Sequence, residues 1–196
     1  MVKAILFDAF GTLCEICDKR NPYKPIVKGW PFGVADAYHA LMTKKVLASE
    51  LAIEAGCSLK LIEQIEAGIR AEIASMRLYP EVVMVLTRIR QSGLKWAIVS
   101  NLAMPYAEPL LKLLPLQPDA CVWSFAVGHR KPEQEIYYHT CKVLDLAPSE
   151  ALMVGDSFGN DYAMPKKIGM QARYLKRSYK DKTMQECLAN LAESLE

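Results

Sequence analysis

The sequence has no long hydrophobic run. Its N-terminal apolar stretch, Val2 to Phe7, is broken by Asp8 and carries no small-residue cleavage site, so it reads as neither a signal peptide nor a membrane span. It also lacks any block of single-sign charge. The 24 basic and 22 acidic side chains leave a formal net charge of +2, without the basic footprint that nucleic acid or an anionic membrane would demand. Zinc-type cysteine and histidine clusters are missing as well. His39, His129 and His139 stand alone, and the six cysteines are scattered through a chain long enough to fold without staples, which points to reduced thiols. Cys14 and Cys17 form one CEIC pair but lack the two further ligands that structural zinc requires. No internal repeat or low-complexity tract interrupts the chain. The expectation is a cytoplasmic protein whose partner is a small molecule, not nucleic acid or membrane.

What the chain does have is material for a core. At 196 residues and 52% apolar content it can bury one full domain, with room for an inserted subdomain. Ala4 to Phe7, Trp96 to Val99 and Ala151 to Val154 are continuous apolar runs, as expected of strands covered on both faces of a parallel sheet. Val122 to Val127 and Ala172 to Leu175 are weaker strand candidates. Helices are expected after Pro80, with an apolar face through Val82, Val85, Leu86 and Ile89 up to Gly93. Another is expected after Pro132, with Ile136, Tyr137, Cys141 and Leu144 on one stripe, and a last one from Thr183 through Cys187, Leu188 and Leu191.

Residues Asn21 to Gly33 hold three prolines, two glycines and a local excess of cations (Lys19, Arg20, Lys24, Lys28 in and beside them), and read as irregular. Two helical patterns follow, one from about Val34 to Ala55. The second starts at the N-cap Ser58 and carries Leu59, Ile62, Ile65, Ile69, Ile73 and Met76. The fold class is therefore α/β: a Rossmann-like, doubly wound parallel sheet with an inserted α-helical cap. Residues 1–14 and 79–196 form the core domain and 15–78 the cap.

In such sheets ligands bind beyond the carboxyl ends of the strands. The three strongest strands end in Asp8, in Ser100 with Asn101, and in Gly155 with Asp156, and the stretch Arg130 to Pro132 brings a cation to the same edge. The strings FDAFGTL (from Phe7), VSN (from Val99), RKP (from Arg130) and VGDSFGND (from Val154) resemble, in order, the four motifs of the haloacid dehalogenase superfamily. Together they span most of the chain.

The resemblance implies a hydrolase working through a covalent intermediate on Asp8, an aspartate nucleophile that splits one hard transfer into two. It further implies that Thr12, Ser100 and Gly11 hold the transferring group and that Lys131 neutralises charge there. Asn101 and Arg20 are candidate substrate contacts. Mg²⁺ is the implied cofactor, held by Asp8, the Phe10 carbonyl and Asp156, with Asp161 ordering its surroundings. Taken singly, these residues have ordinary readings as turn, cap or surface residues; only their joint position at strand ends favours one shared site.

One position departs from the phosphatase pattern. Where phosphatases of the family carry a second aspartate as general acid and base, this chain has Phe10. Losing that help typically costs about 10²–10⁴ in rate. An aromatic ring there is familiar from the family's 2-haloacid dehalogenases, whereas an acid at the Asp156 position fits a metal-dependent phosphatase. Three readings stay open: a Mg²⁺-dependent phosphatase acting on a phosphate ester or acyl phosphate, a dehalogenase, and a non-catalytic binder of a phosphorylated ligand. In the first, the cap could supply the missing acid from Asp18, Glu15 or His39.

Overall fold

The computed structural model describes residues 1–176. The chain begins with β1 (Ala4–Phe7) and β2 (Cys14–Ile16), then runs through four helices, α1 (Lys24–Gly29), α2 (Val34–Thr43), α3 (Ala48–Glu54) and α4 (Leu59–Ala74), to β3 (Met76–Leu78). Next come α5 (Val82–Gln91), β4 (Lys95–Ser100), a 3₁₀ turn at Met104–Tyr106, α6 (Ala107–Leu113), β5 (Ala120–Trp123) and α7 (Ser124–Val127). The described part closes with α8 (Gln134–Leu144), β6 (Ala151–Gly155), a π-helical turn at Phe158–Ala163, α9 (Met164–Lys167) and β7 (Gln171–Tyr174).

Five strands make one sheet in the order β5-β4-β1-β6-β7, and every neighbouring pair is parallel. The chain leaves β1, builds outward through β4 and β5, then crosses back to β6 and β7 on the other side. This reversal opens a crevice at the carboxyl end of β1. In register, Phe7 pairs with Ile98 on one side and Val154 on the other, so the residues following these three strands meet at one level.

The apolar runs are continuous because both faces of the sheet are covered. Ile5 and Phe7 of β1 lie in one buried cluster with Val82, Val85, Leu86 and Ile89 of α5. Ala4 and Leu6 lie in a second, with Ile136, Tyr137, Cys141 and Leu144 of α8. Each fully buried large aliphatic side chain contributes about 1.5–3 kcal/mol, so the two layers clamp β1 from both sides.

The four helices between β2 and β3 are framed by those two strands, which pair antiparallel with Cys14 opposite Leu78 and Ile16 opposite Met76. The hairpin carries the chain out of the sheet and back. Helix α4 starts as its sequence suggests, with the Leu61 N–H donating to Ser58 Oγ, and it buries Ile62, Ile65, Ile69 and Glu72.

Some expectations are corrected. The run Val122 to Val127 is not all strand: β5 ends at Trp123 and Ser124–Val127 turns into α7. A short buried apolar run has no periodicity to tell the two apart. The segment Asn21 to Gly33 contains a helix, α1, because Pro25 falls in its first turn, where a missing N–H costs nothing, and Gly29 comes at its end. The pattern from Val34 to Ala55 is two helices, α2 and α3, separated by an extended link beginning at Lys44. Within α4 Leu59 is exposed. His129 is not isolated but pairs with Glu133 at 3.3 Å. The expected helix from Thr183 lies outside the described residues.

Candidate active site

The loop after β1 is drawn tight by its own backbone. The Ala9 carbonyl accepts from the N–H groups of Thr12, Leu13 and Cys14 at 3.3, 2.8 and 3.0 Å, while Gly11 N–H donates to the Cys14 carbonyl at 2.8 Å. Gly11 has φ +83°, and a Cβ there would come within 2.1 Å of Asp156 Oδ2. Both the turn and the close approach require glycine. Gly155 makes a parallel accommodation: a Cβ there would sit 2.3 Å from Asp161 Cγ. Two glycines thus clear the space that two aspartates occupy beside the nucleophile candidate.

Asp8, Asp156 and Asp161 each bring a carboxylate oxygen within 4.8 Å of the others. Lys131 is buried among them, its Nζ donating to Asp8 Oδ1 at 2.8 Å and to Asp161 Oδ1 at 2.6 Å. Burial works against the Lys131 ammonium, but the two carboxylates outweigh it and its pKa stands above the ordinary lysine value. Ser100, at the end of β4, donates its hydroxyl to Asp8 Oδ1 at 3.2 Å. Asp161 lies inside the π-helical turn, and its Oδ2 accepts the Ser157 N–H at 3.0 Å.

Three carboxylates therefore face one buried ammonium. Asp156, the most exposed of the three, has its pKa raised first by partial burial and then by the charges of Asp8 and Asp161. This is an oxygen-rich, charge-excess cluster of the kind a hard divalent cation fits. Beneath it Cys14 is buried and free, and burial, followed by the Asp8 charge, pushes its thiol up to about 12. It stays protonated and unreactive. Cys17 is free and exposed.

The other expected site residues divide. Thr12 is buried in the loop after β1. The side-chain amide of Asn101 grips the Lys131 backbone from both sides, donating to its carbonyl at 2.8 Å and accepting its N–H at 2.7 Å, so it holds Lys131 in place instead of standing free for substrate. Arg20 is not brought to the crevice. Its exposed guanidinium is held by Asp18 at 2.6 and 2.9 Å, on a cleft of the helical segment shared with Leu61 and Gly68. That contact also occupies Asp18, while His39 bonds Thr43 on an exposed face of α2 and Glu15 is exposed on β2. None of the three acid candidates is brought to Asp8 by a hydrogen bond.

Phe10 has unexpected company. Its ring stands edge-on to Tyr106, with centroids 6.0 Å apart, and Tyr106 in turn lies 6.3 Å from Tyr23. The Tyr106 hydroxyl donates to Glu72 Oε2 at 2.5 Å, and Glu72 Oε1 accepts the N–H groups of Arg20 and Asn21 at 2.8 and 2.9 Å. Burial, then the bond to Glu72, pushes the Tyr106 pKa up, so it stays a neutral donor. The sequence holds no signal for Glu72, because Ile69, Ile73 and Met76 already continue the apolar stripe at four- and three-residue steps and leave no gap at position 72.

The fold is α/β, with a cluster of carboxylates around an aspartate that follows its central strand. Residues 2–169 match the model of the haloacid dehalogenase-like hydrolase family, and the chain belongs to it. Hexitol phosphatase A of Escherichia coli is 28% identical over 169 residues, covering 79% of this chain and 74% of that one. A glyceraldehyde 3-phosphate phosphatase of Methanocaldococcus jannaschii is 31% identical over 114 residues, 56% of this chain and 50% of that protein. A HAD family enzyme from Bacteroides thetaiotaomicron, solved with magnesium and inorganic phosphate, shares the fold at a TM-score of 0.68, with 17% identity, 94% of this chain and 99% of that one covered. Among the described residues no helix is long and apolar enough to cross a membrane.

Proposed function

We propose that the chain is a Mg²⁺-dependent phosphatase acting on a small phosphorylated metabolite through an aspartyl-phosphate on Asp8, with the helices of residues 15–78 serving as its cap. The observation that carries this reading is the cluster of Asp8, Asp156 and Asp161 around the single ammonium of Lys131. The phosphatase names of its relatives, and the magnesium and phosphate found in a protein of the same fold, support it from outside.

With Asp8 Oδ1 held by Lys131 and Ser100, the other carboxylate oxygen is the one to attack phosphorus. The bond to the leaving oxygen breaks as the acyl phosphate forms, and water then attacks the same phosphorus to release phosphate and restore Asp8. Lys131 and Ser100 sit where they would meet charge developing on the phosphoryl oxygens. Asp8, Asp156 and the Phe10 carbonyl would hold Mg²⁺, with Asp161 steadying Lys131 and the metal's surroundings. Bound there, the ion supplies Lewis-acid neutralisation of phosphoryl charge.

Phe10 offers no proton, so esters whose leaving groups depart as stable anions, aryl and acyl phosphates, are favoured over alkyl esters. A screen of phosphate release with Mg²⁺ and an EDTA control tests this. Release from p-nitrophenyl phosphate that EDTA abolishes is expected; no release above background from any ester overturns it. Phe10 also motivates the dehalogenase reading, in which chloride is released from 2-chloropropionate in EDTA. The carboxylate of Asp156 beside an acid substrate opposes that reading by like-charge repulsion.

A further inference from the structure

Tyr137 of α8 stands in two surroundings. Its ring is fully buried in the cluster that packs α8 against one face of the sheet, with Leu6, Val99 and Met153. Its hydroxyl leaves that layer and donates to the Asn160 carbonyl, inside the π-helical turn Phe158–Ala163. Burial, then the charges of Asp161 and Asp8, push the Tyr137 pKa up, so the hydroxyl keeps the proton it donates.

The turn lacks that donor in its own backbone. In a π-helical turn a carbonyl accepts from the N–H five residues on, and the Met164 N–H accordingly donates to the Gly159 carbonyl. The next bond in the series would run from residue 165 to the Asn160 carbonyl, but residue 165 is a proline and has no N–H. Tyr137 reaches across from α8 and bonds the carbonyl that the proline cannot, in a part-buried place where an unpaired carbonyl costs free energy.

The residue after Asn160 is Asp161, which is fully buried. Its backbone N–H donates to the Ser157 carbonyl at 2.8 Å, its Oδ2 accepts the Ser157 N–H at 3.0 Å, and its Oδ1 accepts from Lys131 Nζ at 2.6 Å. Lys131 lies in the loop that leads into α8. The contacts therefore close a ring, from Lys131 along α8 to the Tyr137 hydroxyl, through Asn160 to Asp161 and back to Lys131.

We propose that Tyr137 is a positioning residue, whose hydroxyl stands in for the N–H that Pro165 lacks and so holds the π-helical turn in the form that aims Asp161 at Lys131. The effect on turnover rests on the phosphatase reading, in which Asp161 steadies Lys131 and the surroundings of Mg²⁺; the placement of Asp161 does not.

Amide exchange followed by NMR in EDTA tests the placement without turnover. Tyr137→Phe keeps the ring and removes the donor, and the Ser157 and Asp161 amides should then exchange at least about tenfold faster, with the amides of β4 and β5 unchanged. Adding Pro165→Ala supplies a backbone N–H where the ladder lacks one, and the double variant Tyr137→Phe/Pro165→Ala should return both amides to within about twofold of wild type. In turnover of p-nitrophenyl phosphate, the Mg²⁺ concentration for half-maximal phosphate release should rise at least about fivefold in the single variant and recover in the double. Exchange at Ser157 and Asp161 that Tyr137→Phe leaves unchanged overturns the proposal. Faster exchange that Pro165→Ala does not restore, or that spreads evenly over β4 and β5, overturns it too, as does an unchanged Mg²⁺ requirement in an enzyme that releases phosphate. Local loss and rescue of protection in a protein that releases no phosphate supports the placement and removes the phosphatase reading alone.

Discussion

The crevice at the end of β1 and the interior of the helical segment treat buried carboxylates in opposite ways. In the crevice Asp8, Asp156 and Asp161 crowd around one ammonium, and two glycines are needed to fit them. In the helical segment Glu72 makes no ion pair among the described residues, yet two backbone N–H groups and a tyrosine hydroxyl satisfy it. The first arrangement concentrates more negative charge than Lys131 neutralises; the second uses both carboxylate oxygens to hold α4, the Arg20–Asn21 link and the core's Tyr106 together. The difference separates a site built to bind from a contact built to keep shape.

The widest gap between the regions should open at the nucleophile. Asp8→Asn is expected to lower Mg²⁺-dependent phosphate release by at least about 10³-fold, while the melting temperature is retained, as turnover assays and calorimetry on one preparation will show. Lys131→Met strikes both properties. It leaves two carboxylates without their cation, costing about 3–5 kcal/mol in denaturant unfolding, together with most of the activity. Tyr106→Phe removes one donor from Glu72 and should cost about 1.5–3 kcal/mol of stability with no change in the Mg²⁺ concentration needed for half-maximal activity. An effect on the Mg²⁺ requirement would erase the contrast drawn here.

The smallest expected effect has the opposite sign. Asp156 carries a raised pKa in the fold, so its ionisation weakens the metal-free protein, and this cost is fully present above the folded pKa. It fades as pH falls towards the unfolded value. Asp156→Asn should therefore melt about 2–4 °C higher than wild type in EDTA at neutral pH, the gap should close on acidification, and Mg²⁺ should no longer raise the melting temperature.

Legibility followed the physics of each element. The runs in β1, β4 and β6 could be read because burial on both faces leaves nothing but apolar residues, and the crevice followed because strand ends in such sheets converge. Ser124–Val127 is hard to read because four residues are too few to show a helical period. Helix α1 was hidden by Pro22, Pro25 and Gly29, residues whose position relative to a helix end matters more than their presence. Asn101 sits in a recognisable string, but whether an amide faces substrate or a neighbouring backbone depends on a loop from another part of the chain. Glu72 and Tyr106 meet across 34 positions, and neither residue alone announces the pair. Lys19, Lys24 and Lys28 were visible as a basic stretch. That Arg20 would be paired away while Lys19, Lys24 and Lys28 share one cleft depends on how α1 and α2 pack.

The central claim is that Asp8 carries the phosphoryl group. Enzyme quenched during turnover of p-nitrophenyl phosphate in Mg²⁺, reduced with borohydride and mapped by mass spectrometry, should yield homoserine at position 8, and none when EDTA is present. Sustained turnover with aspartate 8 unmodified, or with the reduced residue elsewhere, would contradict the account.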